Sequence, residues 1–136
     1  MSSRRKIRFD AVEIVFEAAQ RKRKPVDVAQ TREDVAGKPL ASYTKKIVRG
    51  VQEHETDIDE VIATHARGWT LDRMPAMDLA ILRVAVWEIL YETKLDDPIA
   101  ISEATKIAAE YSTDDSPSFV NGLLDRIAKV KDLYVS

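Results

Sequence analysis

A stretch of eighteen residues in the second half of the chain, 74–91, reads MPAMDLAILRVAVWEILY and contains only three charged side chains. Those three, Asp78, Arg83 and Glu88, point in different directions at 100° per residue, so no face of a helix here would be polar. A helix that is apolar all round lies inside a protein. The stretch therefore predicts a buried central helix whose charges need partners or a covering surface. Asp78 would lie in the first turn, where it also complements the helix dipole, so a purely structural role for it stays open.

Apolar residues recur at helical spacing along the rest of the chain, and no sustained alternation predicts a strand. The pattern predicts an all-α fold, with six or seven helices in two small packed helical bundles. We place the boundary near Gly68, which gives an N-terminal bundle over 1–67 and a C-terminal bundle over 68–136. A kink near 54–56 would interrupt the longest helix. The predicted helices span 4–20, 26–35, 41–66, 75–93, 102–111 and 117–131.

The dipeptide Asn121-Gly122 is a strong hairpin signal, but it lies inside the stretch 116–130, SPSFVNGLLDRIAKV. The apolar residues on both sides keep helical spacing, which favours a helix that runs through the glycine. A glycine inside a helix costs about 1 kcal/mol relative to alanine. We therefore expect Gly122 to permit the close approach of another element or of a ligand.

Several classes of protein are excluded by what the sequence lacks. The 136 residues include no cysteine, so a disulfide framework and thiolate chemistry are impossible. No apolar run reaches the ~18 residues of a membrane-spanning helix, and no signal-peptide pattern follows the basic start. The composition fits a cytoplasmic protein without membrane contact.

Sequence patterns typical of catalytic and metal sites are absent as well. The sequence has no glycine-rich phosphate loop. His54-Glu55 begins like a zinc-protease motif, but the second histidine would fall at position 58, which is Ile58. We expect neither an enzyme nor a bound metal or cofactor.

The charge of the chain is unevenly distributed. The net charge is −2, yet residues 1–24 carry +5 and residues 25–136 carry −7. In the first helix, Arg4 and Arg8 continue the line of the apolar stripe, where unpaired charges are rarely buried. We therefore expect the first turn or two to overhang the bundle. Cations at a helix N-terminus oppose the dipole, so an anionic partner such as a phosphate backbone explains them, with a solvated tail as the alternative.

Two aromatic residues of the first helix, Phe9 and Phe16, are seven residues apart and share one line at the edge of the apolar stripe. Packing in the core and contact with a partner are both open for them. The residues also leave open whether the protein is a monomer or a homodimer.

Three segments together resemble the NusB family of bacterial transcription antitermination factors. They are RRKIRFDAVEIVF near the start, RGWTLDRMPAMDLAILRVAVWEI over 67–89, and PIAISEATKIAAEYSTDDSPSFVNGLLDRI over 98–127. The last segment contains the FVNG signature. The sequence of the second segment is similar to sequences of the actinobacterial branch of the family. The resemblance covers nearly the whole chain.

The resemblance implies an all-helical fold of two bundles and a function without catalysis. It implies binding of single-stranded boxA RNA in nascent ribosomal transcripts, together with NusE, a small-subunit ribosomal protein. The pair would join an assembly on RNA polymerase that suppresses termination. A helical protein–protein adaptor with only incidental RNA contact is the alternative, and it would not distinguish RNA sequences.

The resemblance also assigns roles to individual residues by position. The RNA-binding residues would be Arg4, Arg5, Lys6, Arg8, Asp115 and Phe119. The NusE-binding residues would be Phe16 and Asp78. The chain departs from the family at Phe16, where tyrosine is frequent, and at Ser118, where a basic residue is frequent.

Overall fold

The computed structural model describes residues 2–135, and within that range the chain forms seven α-helices and no strand. This confirms the predicted all-α class. Short 3₁₀ turns at Leu71–Arg73 and Lys131–Leu133 add to the helices. The α-helices are α1 Ser3–Arg21, α2 Pro25–Ala36, α3 Ser42–Glu53, α4 Glu55–His65, α5 Ala76–Tyr91, α6 Asp97–Tyr111 and α7 Ser116–Lys129.

The apolar helix α5 lies at the centre of the fold, as its composition predicts. Eleven of its sixteen residues are buried. α1, α3, α4, α6 and α7 all pack against it, and α2 packs against α1 and α3. α5 therefore belongs to the core of both halves of the chain.

The charged side chains of α5 have partners within the protein. Arg83 donates two hydrogen bonds to Asp59 of α4, at 2.9 and 3.0 Å. Glu88 is paired with Arg8, and Asp78 accepts a hydrogen bond from the α6–α7 loop. No external surface is needed to cover these charges, because the chain itself supplies their partners.

The predicted long helix over 41–66 is two helices that meet at His54. α3 ends at Glu53 and α4 begins at Glu55. The His54 imidazole stacks on the Tyr91 ring at the end of α5, with centroids 3.9 Å apart. This break lets both α3 and α4 lie against α5, which one straight helix could not do.

α6 begins five residues before its predicted start, at Asp97 rather than at position 102. Pro98 lies in its first turn, where the missing N–H has no helical partner to lose. The predicted boundary of the two bundles, at residues 67 and 68, stays a prediction. Met1 and Ser136, the outer ends of those two ranges, lie outside the described residues.

The expectation of a close approach at Gly122 is wrong for protein elements. Within residues 2–135, the nearest heavy atom to a Cβ at Gly122 would be Arg126 Nη1 of the same helix, at 3.4 Å. The close approach is at Gly50 of α3, where a Cβ would lie 1.9 Å from Nε1 of the buried Trp87. Gly50 lets α3 cross directly over the indole of α5.

The end of the chain packs back on α4 through a histidine. His65 Nε2 and the Tyr134 hydroxyl lie 2.7 Å apart, and Arg126 donates to the His65 carbonyl at 2.8 Å. Burial and the Arg126 guanidinium lower the pKa of His65 from its ordinary value of 6.5. The folded protein therefore resists protonation of His65 more than the unfolded chain does.

We expect stability to decrease as the pH falls below about 6.5, since the unfolded chain then binds a proton at His65 that the folded chain does not yet bind. The contribution of neutral His65 to the free energy of unfolding is complete above about pH 6.5, and it is lost as the pH falls to the lowered pKa of the folded protein. Urea unfolding at pH 7 and pH 5 should show a smaller difference for His65→Gln than for the unaltered protein. An NMR titration that places the pKa of folded His65 at or above 6.5 would contradict this prediction.

Candidate nucleic-acid interface

The first turn of α1 contains basic residues and no acidic one. Ser2 caps the helix, because its Oγ accepts a hydrogen bond from the Arg5 N–H at 3.2 Å. Positive charge at this end opposes the helix dipole. The cap and the packing of later turns therefore hold the helix start in place, while the basic side chains reduce its local stability.

The first three basic side chains reach the surface in different directions. Arg4 is exposed and makes no ion pair with a side chain in residues 2–135. Arg5 Nε donates to Glu103 of α6 at 2.8 Å, and Lys6 pairs with Asp10 one turn later. These pairs are partly or fully open to solvent, where ion pairs contribute little and an anion can replace the carboxylate.

A cleft of about 380 Å³ opens beside Arg4, between α1, α3 and the α5–α6 loop. Lys46 and Lys94 line it together with Arg4. Glu92 also lines the cleft and accepts a hydrogen bond from Lys46 at 2.7 Å. With Arg8, which also lines the cleft, four cations stand against a single carboxylate, so the cleft suits an anion.

Arg8 does not overhang the bundle, so that expectation is wrong at this residue. The residue is 6% exposed, and its Nε donates to Glu88 of α5 at 3.0 and 3.3 Å. The Tyr43 hydroxyl donates to the same carboxylate at 2.7 Å. α1 thus lies against α5 from its second turn onward. An RNA contact by Arg8 stays a prediction, and its burial favours a structural role.

Arg8, Glu88 and Tyr43 form one hydrogen-bonded cluster. Burial is the largest influence on the pKa values of its Glu88 carboxyl and Tyr43 hydroxyl. Burial raises the pKa of the Glu88 carboxyl, although Tyr43 and Arg8 partly offset the rise. Burial and the hydrogen bond to Glu88 also raise the pKa of the Tyr43 hydroxyl far above its ordinary value. Tyr43 therefore remains a neutral hydrogen-bond donor to Glu88.

The two aromatic residues of α1 have different neighbours. Phe9 stacks on Tyr111 at the end of α6, with ring centroids 4.0 Å apart and planes 20° apart. Tyr111 is 39% exposed, so this pair forms part of the surface. Phe16 is partly buried against the core. The remaining surface of Phe16 is open to solvent, and a role in partner binding stays a prediction.

Asp78 points inward rather than toward a partner. It is 2% exposed, and its carboxylate accepts a hydrogen bond from Ser112 Oγ. Ser116 Oγ donates to Ser112 Oγ at 3.0 Å and accepts from the Thr113 N–H at 3.1 Å. This network fixes the loop between α6 and α7, so the structural alternative for Asp78 is the one that its contacts support. Direct contact of Asp78 with a partner stays a prediction.

Asp115 and Phe119 lie at the start of α7, on the other side of this loop. Asp115 is exposed, while Phe119 is half-buried and its ring contacts the ring of Trp69 edge to face, 6.2 Å between centroids. These residues border a cavity of about 560 Å³ together with Met74. In the sequence, the α6–α7 loop directly follows Tyr111, whose ring contacts Phe9 of α1.

Sequence reasoning missed Trp69 and Tyr111 as surface residues of this region. Trp69 is 52% exposed in the short loop after α4. The sequence places Trp69 just outside the periodic apolar stretches, which indicates a loop. A large aromatic residue on a loop often marks a binding surface, so this position could have identified it. Tyr111 follows the periodicity of α6, and the sequence gives no sign that its ring would meet Phe9.

The family model of the NusB family matches residues 3–129. The chain belongs to the NusB family. It is 50% identical over 132 residues to the transcription antitermination protein NusB of Kineococcus radiotolerans, which covers 97% of each chain. It is 45% identical over 131 residues to the protein of the same name from an Arthrobacter species, with 96% of each chain covered.

Solved structures of NusB proteins share the fold. The T. maritima NusB crystal structure superposes with a TM-score of 0.84 at 30% identity and covers 96% of this chain and 93% of its own. A chain of the crystal structure of antitermination factors NusB and NusE in complex with dsRNA gives a TM-score of 0.81 at 22% identity, covering 93% of this chain and 96% of that one. That second likeness concerns the NusB fold alone.

None of the helices in residues 2–135 combines the length and the apolar character that crossing a bilayer requires.

Proposed function

We propose that this chain is a transcription antitermination factor, not an enzyme. It binds single-stranded boxA RNA of nascent ribosomal RNA transcripts together with NusE, within an antitermination assembly on RNA polymerase. Membership of the NusB family supports this proposal. The observation on this chain that carries it is the group of exposed cations at the start of α1, which local stability does not explain.

Arg4, Arg5 and Lys6 are the proposed phosphate contacts. Arg4 is exposed beside a cationic cleft, and the other two are held only by solvent-open ion pairs. Phosphate contacts supply most of the affinity of single-strand binding, and aromatic side chains add base stacking. The Phe9–Tyr111 pair lies next to these cations and is partly exposed.

The remaining assigned residues take direct or indirect roles. Asp115 and Phe119 extend the proposed RNA surface beyond the α6–α7 loop, and Phe16 offers its solvent-open surface to NusE. Arg8 acts through Glu88 by fixing α1, and Asp78 acts through Ser112 by fixing the loop. These two are positioning residues in the proposal.

The test is fluorescence anisotropy of a labelled boxA RNA with the triple variant Arg4→Gln, Arg5→Gln, Lys6→Gln. We expect severely weakened binding and a logarithmic salt dependence that is shallower by about 2, because each phosphate that is no longer neutralised removes roughly 0.7 from the slope. The fold should persist, because Arg4 and Lys6 are exposed and the half-buried Arg5 lies at the surface in an ion pair with Glu103.

The matched control removes three equal charges at the other end of α1, with Arg21→Gln, Lys22→Gln and Lys24→Gln, which are all exposed. RNA binding should change little in this control. Equal losses of affinity in both triple variants would mean that only net charge matters. Equal, weak binding of boxA and scrambled RNA, with or without NusE, would instead favour the protein–protein adaptor.

A further inference from the structure

The cavity between the α4–α5 connection and the start of α7 differs in character from the cationic cleft beside Arg4. Its volume is about 560 Å³, and Trp69, Phe119 and Met74 form its apolar part. Thr113, Ser118 and the two acidic residues Asp78 and Asp115 line its polar side. One nucleobase fits such a cavity, with one apolar wall to stack on and one polar wall to accept hydrogen bonds.

Trp69 is held in place although half of its surface is exposed. The loop before it turns through positive φ angles at Arg67 (49°) and Gly68 (90°). The backbone N–H of Trp69 then donates to the Ala66 carbonyl at 3.3 Å. The indole makes an edge contact with the Phe119 ring, with 60° between the two ring planes. An aromatic ring fixed in this way can receive a flat partner with little further loss of conformational freedom.

The polar wall of the cavity selects the chemistry of that partner. The exposed carboxylate of Asp115 repels phosphate, and it can accept hydrogen bonds from amino and imino N–H groups. Those donors lie on the Watson–Crick edges of nucleobases, which are free in single-stranded RNA. The phosphates of the same strand would lie at the cationic start of α1, away from this acidic wall.

We propose that Trp69, supported by Phe119, stacks an unpaired nucleobase whose amino or imino groups face Asp115. The inference rests on the proposed function and deepens it, because it assigns a base-binding pocket to the RNA surface. The pocket includes Asp115 and Phe119 of that proposed surface, and Thr113 of its lining follows Tyr111 by two residues in the sequence. Base–aromatic stacking is the main sequence-tolerant contact in single-strand binding.

The chain provides its own spectroscopic test, because it contains two tryptophans. Trp69 is 52% exposed and Trp87 is 4% exposed. Adding boxA RNA to the full chain should quench the Trp69 emission by stacking, while the emission of Trp87 stays constant. Acrylamide should then quench the protein less when RNA is bound, because the base shields the indole.

The variant Trp69→Ala should no longer show this RNA-dependent quenching and should bind boxA roughly 5- to 150-fold more weakly, as expected when one base stack is removed. The salt dependence should be unchanged, because the phosphate contacts remain. Trp69→Phe should retain most of the affinity. The matched control is Ile99→Ala, a comparably exposed apolar residue on α6, which should bind like the unaltered protein.

The outcomes separate this inference from the proposed function. If the unaltered protein binds boxA but its Trp69 emission and the affinity of Trp69→Ala do not change, the base pocket is wrong and the function stands. If NusE alone changes the Trp69 emission and RNA does not, the pocket binds protein, which also overturns the inference. If the unaltered protein binds no boxA RNA, both fail.

Discussion

Arg8→Ala should lower the free energy of unfolding by about 3–5 kcal/mol, because it leaves the buried Glu88 carboxylate without its guanidinium. Arg8 Nε lies 3.0 Å from Glu88 Oε2, and the two side chains are 7% and 2% exposed. Among residues 2–135, only the Tyr43 hydroxyl would still donate to that carboxylate. Urea unfolding at neutral pH measures the destabilisation. It should shrink toward acidic pH, since a protonated Glu88 no longer leaves a buried charge.

Two further variants complete this experiment. The double variant Arg8→Met, Glu88→Leu removes both charges and should recover most of the stability that Arg8→Ala removes. Tyr43→Phe removes one hydrogen bond to the carboxylate and should cost about 1.5–3 kcal/mol. A destabilisation below about 1 kcal/mol for Arg8→Ala would contradict the central role that we give this pair.

The double variant also decides how Arg8 serves RNA binding. If Arg8 only positions α1, the folded double variant should bind boxA RNA within a few-fold of the unaltered protein. If Arg8 contacts a phosphate, the double variant should bind more weakly and show a shallower salt dependence, because one phosphate is then no longer neutralised.

Gly50→Ala should destabilise the protein by about 3 kcal/mol, although alanine is the better helix former. The added Cβ would lie 1.9 Å from Trp87 Nε1 and 2.3 Å from its Cε2. Trp87 is buried, so its ring cannot move aside without disturbing the packing of α5. Thermal or urea unfolding measures this destabilisation.

Gly122→Ala is the matched control, because Gly122 also lies inside a helix but meets only the flexible end of Arg126 at 3.4 Å. It should stabilise the protein by up to about 1 kcal/mol. If the stability change is unfavourable at Gly50 and favourable at Gly122, the steric clash with Trp87 is separated from the effect of helix propensity. Similar changes in stability for both variants would show that α3 and α5 can separate at little cost.

The central position of α5 was predictable because it depends on composition alone. A helix with three charges in three directions has no face to offer to water, whatever its neighbours are. The identity of the partners was not predictable in the same way. Glu88 and Arg8 are 80 residues apart in sequence, and helical spacing shows only that Arg8 faces the core. The expectation that the start of α1 overhangs the bundle was therefore wrong at Arg8, in the second turn.

The two glycines illustrate the same limit. Asn121-Gly122 is conspicuous in the sequence because it is a hairpin signal inside a helical apolar pattern, yet nothing on another element approaches Gly122 within residues 2–135. Gly50 lies in an ordinary polar stretch of sequence, and its importance comes from where α3 crosses α5. Crossing points depend on the packing of whole helices, which periodicity along one helix does not determine.

The candidate site was predictable in part for a related reason. The exposed cations at the start of α1 follow from charge and position in a helix. The Trp69–Phe119 contact joins a residue of the loop after α4 to a residue in the first turn of α7, and only the folded chain brings them together. The exposed indole was visible in the sequence as a loop tryptophan, but its supporting ring was not.

The enclosure of α5 has a consequence for how this protein can change over evolutionary time. Because five other helices pack against α5 and most of its residues are buried, most of its positions can change size only when a neighbour changes in compensation. The outer face of the first turn of α1 carries no such restriction, since Arg4 and Lys6 are exposed. Mutations at the start of α1 can therefore change the affinity for a ligand without changing the packing of the helices around α5.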